Sequence, residues 1–197
     1  MIESIRDPDV IALANLSSML KSEYSAEELQ WLGSPFAWIK ARPSRQVGTV
    51  GERLVAGWLA SKGFDVARSP DSDADRLVNG HRVEIKFSTL WKSGIYKFQQ
   101  LRNQDYEFAI CLGVSPFDAH CWVLPKKEIM TRWNASVIQG REVEGIQPQH
   151  GGSDGRDTAW LSVFPETPPP WLAAHGGRLA QAASYLARNL KRPRAGS

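Results

Sequence analysis

Residues able to support hydrolytic chemistry are concentrated in the stretch SPDSDADRLVNGHRVEIKFS, which begins at Ser69. It contains three closely spaced aspartates, followed by Glu84 and Lys86. Carboxylate oxygens are ligands for Mg²⁺, and an ammonium group placed beside them can stabilise developing negative charge. The stretch is therefore either a metal site for hydrolysis or a solvated, acid-rich hairpin of the kind that needs no function.

The dipeptide Asn79-Gly80 lies between two short apolar runs and favours a two-residue type I′ turn. Such a turn fixes the register of the two flanking strands. It pairs Val78 with His81, Leu77 with Arg82 and Arg76 with Val83, and a continued ladder pairs Asp75 with Glu84.

Alternation along the second strand places Glu84 and Lys86 on one face. Val83, Ile85 and Phe87 then point to the other face, into the core. The same register puts Arg76 on the nominal core side, so the first strand is expected to be twisted, bulged or near an edge.

Two carboxylates that face each other across a ladder, with Cβ atoms about 4.5–5.5 Å apart, repel unless a charge neutralises them. A divalent cation held by Asp75 and Glu84 would do so, and the carbonyl of Ile85 could add a third hard oxygen. In this register Asp71 falls opposite Ser88, beyond the group formed by Asp75, Glu84 and Lys86. We therefore select Asp75 as the ligand and treat Asp73, which would face Lys86, as an ion-pair partner or auxiliary ligand.

The surrounding pattern predicts helices first, a strand-rich centre and a final helix. Helices are expected at 8–22 and at 44–62, and Gly63 ends the second of these. Another helix is expected to begin at a capping box of Ser25 and Glu28 and to be broken into two pieces at 33–35. Strands are expected at 64–69, 75–78, 82–88, 106–114, 119–125 and 158–164, further helices at 96–104, 126–133 and 171–190, and a long loop at 134–157.

These elements indicate one α/β (α+β) domain. We divide the chain into an N-terminal helical segment at 1–43 packed on the core, a core at 44–190 that includes the loop 134–157, and a basic tail at 191–197. With 197 residues, 42% of them hydrophobic, the chain can bury one good core.

Composition narrows the setting of the protein without assigning a function. We find neither an apolar run long enough for a membrane span nor the pattern of a signal peptide, so we expect a cytoplasmic protein without a membrane partner. The net charge of +3 favours a nucleic-acid partner only weakly. Cys111 and Cys121 are expected to be small buried residues, with a disulfide left open, and their context gives little support to zinc.

The segment PDSDADRLVNGHRVEIK resembles the signature of the PD-(D/E)xK nuclease superfamily, in which an acid begins one strand and E-x-K lies on the next. The helix GERLVAGWLASKGFDVARS, which carries Glu52, and the segment FQQLRNQDYEFAICLGVSP are similar to parts of type II restriction endonucleases. The resemblance covers about residues 44–125. It implies a restriction-endonuclease-like core with a central mixed β-sheet flanked by helices.

The resemblance also implies roles for individual residues. Asp75 and Glu84, with the carbonyl of Ile85, would hold Mg²⁺, for which Mn²⁺ can substitute, and no small-molecule cofactor would be needed. Lys86 would position or deprotonate a water or stabilise negative charge, and Glu52 would bind a second metal directly or through water.

The implied substrate is double-stranded DNA, cut by a homodimer that reads a palindromic site. Residues that follow the E-x-K strand or lie in the long loop are candidates for contact with DNA. They are Trp91, Lys92, Lys97, Gln99, Gln100, Arg141 and Arg156.

Two other functions remain open on the same fold. The protein could be a structure-specific repair or recombination nuclease, such as a junction resolvase. It could also be a non-catalytic DNA-binding protein, although the set of Asp75, Glu84 and Lys86 argues against this reading.

Overall fold

The computed structural model describes residues 6–151 and 155–191, and it leaves the side chains of residues 22–28 undescribed. The hydrogen bonds of the expected capping box of Ser25 and Glu28 therefore lie outside the described residues. The expected basic tail, apart from Lys191, also lies outside the described residues.

The chain forms six helices and nine strands over the described residues. The helices are α1 (Pro8–Gln30), α2 (Ala37–Lys40), α3 (Ser44–Ser61), α4 (Lys126–Gln139), α5 (Pro170–Ala173) and α6 (Leu179–Asn189). The strands are β1 (Val66–Arg68), β2 (Arg76–Val78), β3 (His81–Thr89), β4 (Tyr96–Leu101), β5 (Phe108–Val114), β6 (Ala119–Pro125), β7 (Ile146–Gln149), β8 (Thr158–Val163) and β9 (Gly176–Arg178).

The strands form two sheets. The first is six-stranded in the order β1-β2-β3-β5-β6-β9, and only its β3–β5 pair is parallel. The second is three-stranded and antiparallel, in the order β4-β8-β7. This arrangement confirms the expected α+β class with a central mixed sheet flanked by helices.

Two apolar clusters lie on the two faces of the six-stranded sheet. On one face Ile85 and Ile110 pack with Val55 of α3 and Leu186 of α6. On the other face Trp122 packs with side chains of α4 and of the second sheet. The six-stranded sheet therefore lies between a helical layer and the second sheet, as expected for a layered α+β domain.

The hairpin at Asn79-Gly80 is confirmed. Asn79 has φ 51° and Gly80 has φ 88°, as a type I′ turn requires at both central residues. The register runs from Val78↔His81 to Arg76↔Val83. The Asn79 side chain also accepts a hydrogen bond from the Asp65 amide at 2.9 Å and donates one to the Leu190 carbonyl at 2.7 Å.

Several expected elements were wrong in type or extent. Residues 96–104, expected as a helix, contain strand β4, because Tyr96 and Phe98 alternate into the core while β8 supplies backbone hydrogen bonds. The expected loop at 134–157 includes the end of α4 and strand β7. The expected final helix at 171–190 is divided into α5, β9 and α6, since two glycines at positive φ pair with β6 between them.

The N-terminal segment begins with one continuous helix. Because α1 extends to Gln30, Ser25 lies inside a helix and does not begin one. Large apolar side chains of α1, among them Leu13, Leu16 and Met19, are exposed. The division into a segment at 1–43 and a core at 44–190 stays a prediction. Among the described helices, none is long and apolar enough to cross a membrane.

The two cysteines are buried and carry free thiols. Cys111 of β5 is paired with Trp122, whereas Cys121 of β6 is paired with Leu112. Because side chains alternate, the two thiols belong to the clusters on opposite faces of the sheet. They are therefore small core residues and not partners in a disulfide.

Candidate active site

The candidate site lies where β2 begins and β3 continues past it. The β2–β3 pairing extends only to Arg76↔Val83, whereas β3 continues to Thr89 along β5. The edge of β3 from Glu84 onward is therefore free of β2. Backbone groups on this edge are available to side chains or ligands.

Asp75 occupies the first position on this edge. Its amide donates to the Val83 carbonyl at 3.0 Å, and its Oδ2 accepts a hydrogen bond from the Ile85 amide at 2.7 Å. The expected ladder pair of Asp75 with Glu84 was wrong, because the pairing ends at Arg76. The carboxylate takes the place that a strand carbonyl would fill in a longer β2.

The backbone of Ile85 faces the same space. In an antiparallel ladder the N–H and C=O of one residue point to the same neighbour. Since the Ile85 amide donates to Asp75, its carbonyl is directed toward the Asp75 side of β3 as well. This carbonyl is thus directed to the same side of β3 as the Asp75 carboxylate, and its role as a metal ligand stays a prediction.

Glu84 and Lys86 form a shielded ion pair on one face of β3. Lys86 Nζ lies 2.7 Å from Glu84 Oε1, and the two side chains are 17% and 8% exposed. Burial raises the pKa of Glu84, the Lys86 ammonium opposes that shift, and the Asp75 charge adds to it. Ile85 and Val83 point into the cluster on the other face, so the expected division of faces is confirmed.

Glu52 reaches the site from helix α3. Burial is the main cause that raises its pKa, and the Asp75 charge raises it further, while Arg76 and Lys86 lower it. Helix α3 comes close to β3 because Gly51 has no side chain: a Cβ there would lie 2.2 Å from Cβ of Phe87. The glycine before Glu52 thus allows the approach that brings this acid near the others.

Arg76 connects two of the acids and was not among the expected site residues. Its Nη2 lies 3.4 Å from Glu52 Oε2, and its Nη1 donates to the Asp75 carbonyl at 2.7 Å. The only signal in the sequence was an arginine that the register placed on the core side of a strand. The sequence could not show that α3 supplies its partner.

The other two aspartates lie away from this group. Asp71 accepts two hydrogen bonds from the Arg82 guanidinium, at 3.0 and 2.6 Å, which lower its pKa. Its expected place opposite Ser88 was wrong, because the chain before Asp75 leaves the ladder. The Asp73 amide donates to Asp71, and the Asp73 charge acts on Arg82.

The donors at the site fit a hard cation with few protein ligands. Asp75 and Glu84 supply carboxylates, Ile85 supplies a carbonyl, and Glu52 supplies a further carboxylate with a raised pKa. Across residues 6–151 and 155–191, no group of three or more His, Cys, Asp or Glu side chains is arranged to hold a metal. Mg²⁺ commonly takes one or two carboxylates and completes its shell with water or phosphate oxygens.

Comparisons with known proteins give little further information. No family model and no curated protein matches the chain. Among solved structures, the bacterial homing endonuclease I-Ssp6803I matches with a TM-score of 0.36 and 18% identity, over 46% of this chain and 71% of that chain. A match of this size does not establish the fold or the function of this chain.

Three of the expected DNA contacts lie next to the site. Trp91 and Lys92 are exposed residues of the turn that joins β3 to β4, and Lys97 lies on β4. The Lys97 amide donates to Ser88 Oγ at 3.0 Å, and Ser88 is on the same face of β3 as Lys86. These residues are thus attached to the strand that carries Glu84.

The remaining expected contacts are exposed but more dispersed. Gln99 and Gln100 lie on strand β4 and not on the helix that was expected at 96–104. Gln100 has φ 57°, at an irregularity in the β4–β8 pairing. Arg141 follows α4, and Arg156 precedes β8.

Trp160 of β8 was not selected from the sequence, yet its ring lies 4.9 Å from Lys97 Nζ. Alternation along TAWLSVF places Trp160 and the buried Leu161 on opposite faces of the same strand. Alternation could not show that Lys97 lies beside Trp160, because the sequence predicted a helix where Lys97 lies on a strand.

Proposed function

We propose that this protein is a Mg²⁺-dependent endonuclease that hydrolyses phosphodiester bonds in double-stranded DNA. The proposal depends on one observation, the convergence of Glu52, Asp75, Glu84 and Lys86 at the start of β2. Three acids and one shielded ammonium beside the free edge of β3 are more than a solvated hairpin needs. Burial is the main cause that raises the pKa values of Glu52 and Glu84, and the Asp75 charge raises both further; carboxylates perturbed in this way are common at functional sites.

The roles proposed for the acids follow from their surroundings. Asp75 and Glu84, with the Ile85 carbonyl, would hold Mg²⁺, which when bound neutralises charge on the scissile phosphate and activates a water. The Ile85 amide fixes the carboxylate of Asp75 through its hydrogen bond. Glu52 would contribute to a second metal or hold a water.

Lys86 is the proposed catalytic cation. Its ammonium lies 2.7 Å from Glu84 and is mostly shielded from solvent, so its charge acts at close range. There it would stabilise negative charge that develops on the phosphate, or hold the attacking water. Arg76 keeps Glu52 and the backbone of Asp75 together and is proposed as a positioning residue.

We further propose that the enzyme is a sequence-specific type II restriction endonuclease that acts as a homodimer. This assignment rests on the resemblance of the D…ExK segment and on the palindromic sites that two-fold symmetric proteins read. A structure-specific nuclease is the second candidate. It is favoured by the exposed ring of Trp91 and the half-buried ring of Trp160 around Lys97, since such rings suit bases that are not paired.

Digestion of several plasmids with Mg²⁺, followed by mapping of the ends, tests these proposals. Discrete fragments with fixed ends support the restriction enzyme, and cleavage of branched DNA but not of plasmid supports the second candidate. Loss of cleavage in Glu84→Gln and in Lys86→Met excludes a contaminating nuclease. If the wild-type protein binds DNA but cleaves neither substrate with Mg²⁺ or Mn²⁺, the protein is a non-catalytic binder and the proposal fails.

A further inference from the structure

The second sheet has a buried face and a face directed to solvent. Tyr96, Phe98 and Leu161 are fully buried against the first sheet. Because side chains alternate along strands, Lys97 and Trp160 project from the opposite face, and both are partly exposed. The outer face therefore carries a cation and an aromatic ring.

Lys97 lies between two tryptophan rings on this outer face. Its Nζ is 4.8 Å from the centre of the Trp91 ring and 4.9 Å from that of Trp160. Both distances are within the range of about 6 Å at which a cation is attracted to an aromatic face. Trp91 is 44% exposed, so much of an indole surface remains accessible to a ligand. We call Trp91, Lys97 and Trp160 the tryptophan patch.

The tryptophan patch is connected to the candidate active site through β3. Ser88, two residues after Lys86 on the same face, accepts the hydrogen bond from the Lys97 amide. A short turn, in which the Trp91 amide donates to the Ile95 carbonyl at 2.9 Å, joins β3 to β4. The tryptophan patch is therefore joined directly to the strand that carries Glu84 and Lys86.

A groove of about 350 Å³ lies beside Lys97 on the same side of the sheet. Gln147 and Ser162 contribute polar groups to its lining, and Phe164, which is 55% exposed, contributes an apolar wall. Glu142 also lines the groove and would repel a phosphate. A bound polyanion would therefore place its phosphate near Lys97 and direct an uncharged base into the groove.

We propose that the tryptophan patch and this groove bind an unpaired strand of the DNA substrate next to the point of cleavage. Bases stack on the accessible surfaces of the Trp91 and Trp160 rings, and Lys97 binds a backbone phosphate. The faces of bases are accessible only when the bases are unpaired, and cationic grooves with aromatic side chains are characteristic of single-strand binding. This inference rests on the proposed nuclease function in the form of its second candidate, the structure-specific nuclease, and specifies the substrate as a duplex with an unpaired segment.

Binding of fluorescent oligonucleotides to the full chain in EDTA tests the inference without cleavage. We expect Trp160→Ala and Trp91→Ala each to weaken binding of a single-stranded oligothymidylate about tenfold, as loss of one stacked base does. Lys97→Gln should weaken the same binding and reduce its salt dependence. Binding of a blunt duplex of equal length should change much less.

Trp38→Ala is the matched control. Trp38 is also an exposed tryptophan, at 50%, and its ring also lies near a cation, Arg42 at 5.8 Å, but it belongs to α2. Its replacement should leave single-strand binding unchanged. Because Trp160 is partly buried, Trp160→Phe is compared with Trp160→Ala: the phenylalanine variant keeps a ring and should retain most of the affinity.

The outcomes separate this inference from the nuclease proposal. Wild-type single-strand affinity in both Trp91→Ala and Trp160→Ala overturns the inference, and so does an equal loss of single-strand and duplex binding. Cleavage of DNA with either of these results leaves the nuclease proposal intact. Absence of cleavage with selective single-strand binding through the patch overturns the nuclease proposal alone.

Discussion

The Asp75 carboxylate accepts a hydrogen bond from the backbone amide of Ile85, with 2.7 Å between Oδ2 and N. This bond fixes the acid against the strand that carries Glu84 and Lys86. It also identifies Asp75, among the three aspartates of the segment, as the one held at the free edge of β3. Asp71, by contrast, accepts a hydrogen bond from the Arg82 guanidinium.

Asp75→Asn is expected to abolish Mg²⁺-dependent cleavage of DNA, because it removes a charged ligand from the proposed metal site. The amide can still approach Ile85, so the fold should persist. A plasmid-cleavage assay, together with circular dichroism, measures both properties. We expect a loss of at least about 100-fold, which is the scale of losing one precisely placed charge in a hydrolytic site.

Asp71→Asn is the matched control for this prediction. Asp71 belongs to the same loop, but its partner is Arg82 and its ion pair is exposed, so Asp71→Asn should change stability little. Full activity in Asp75→Asn, together with loss in Asp71→Asn, would show that the wrong aspartate has been assigned.

Lys86→Met is expected to slow cleavage by about 100-fold or more while Mg²⁺ binding is retained or strengthened. The ammonium stabilises charge in the reaction, but in the resting protein it is 2.7 Å from Glu84 and competes with a cation for that carboxylate. Isothermal titration calorimetry of Mg²⁺, paired with the cleavage assay, separates the two effects. Weaker Mg²⁺ binding in Lys86→Met would contradict this role.

Mg²⁺ is expected to raise the melting temperature, and to do so less as the pH falls. Burial raises the pKa of Glu84 above its usual 4.5, so in the folded protein this acid takes up a proton at a higher pH than in the unfolded chain. A cation at 100 times its Kd stabilises by about 2.7 kcal/mol, or about 5–10 °C here. The rise in melting temperature with Mg²⁺ should be complete when the pH is well above the raised pKa of Glu84. It should be lost as the pH falls through that pKa.

Differential scanning fluorimetry over a series of pH values measures this dependence. Without metal, the sign is opposite: a raised carboxylate pKa means that Glu84 contributes stability when protonated and that this contribution is lost as the pH rises through the folded pKa. Asp75→Asn should show little shift with Mg²⁺ at any pH. An equal shift in this variant would place the cation elsewhere.

Gly51→Ala is expected to destabilise the fold by about 1–3 kcal/mol, the usual cost of overpacking a well-packed interface. The added Cβ would lie 2.2 Å from Cβ of Phe87, so α3 must move away from β3 and take Glu52 with it. Denaturant unfolding measures the stability, and the cleavage assay should show a parallel loss.

Gly57→Ala on the same helix is the control, since a Cβ there has nothing within 4 Å. That change should stabilise the protein by about 0.4–1 kcal/mol, because it restricts the unfolded chain. Equal effects of the two substitutions would show that α3 does not depend on close approach to β3.

The sequence by itself determined the parts of the site that are local. Asn79-Gly80 specified a turn with positive φ at both residues, and that turn fixed the register as far as Arg76↔Val83. Alternation then placed Glu84 and Lys86 on one face. These features depend on the conformations open to a few neighbouring residues, and a sequence pattern expresses those directly.

Only the tertiary structure decided where the ladder ends and what meets it there. Three contacts join segments that are separated in the sequence. They are the hydrogen bond between Asp75 and the Ile85 amide, the contact of Arg76 with Glu52, and the position of Lys97 between two tryptophans. Residues 96–101 became a strand because β8 supplies its hydrogen bonds and the first sheet covers Tyr96 and Phe98. Burial and pairing by distant segments override local preference, and a single sequence does not record them.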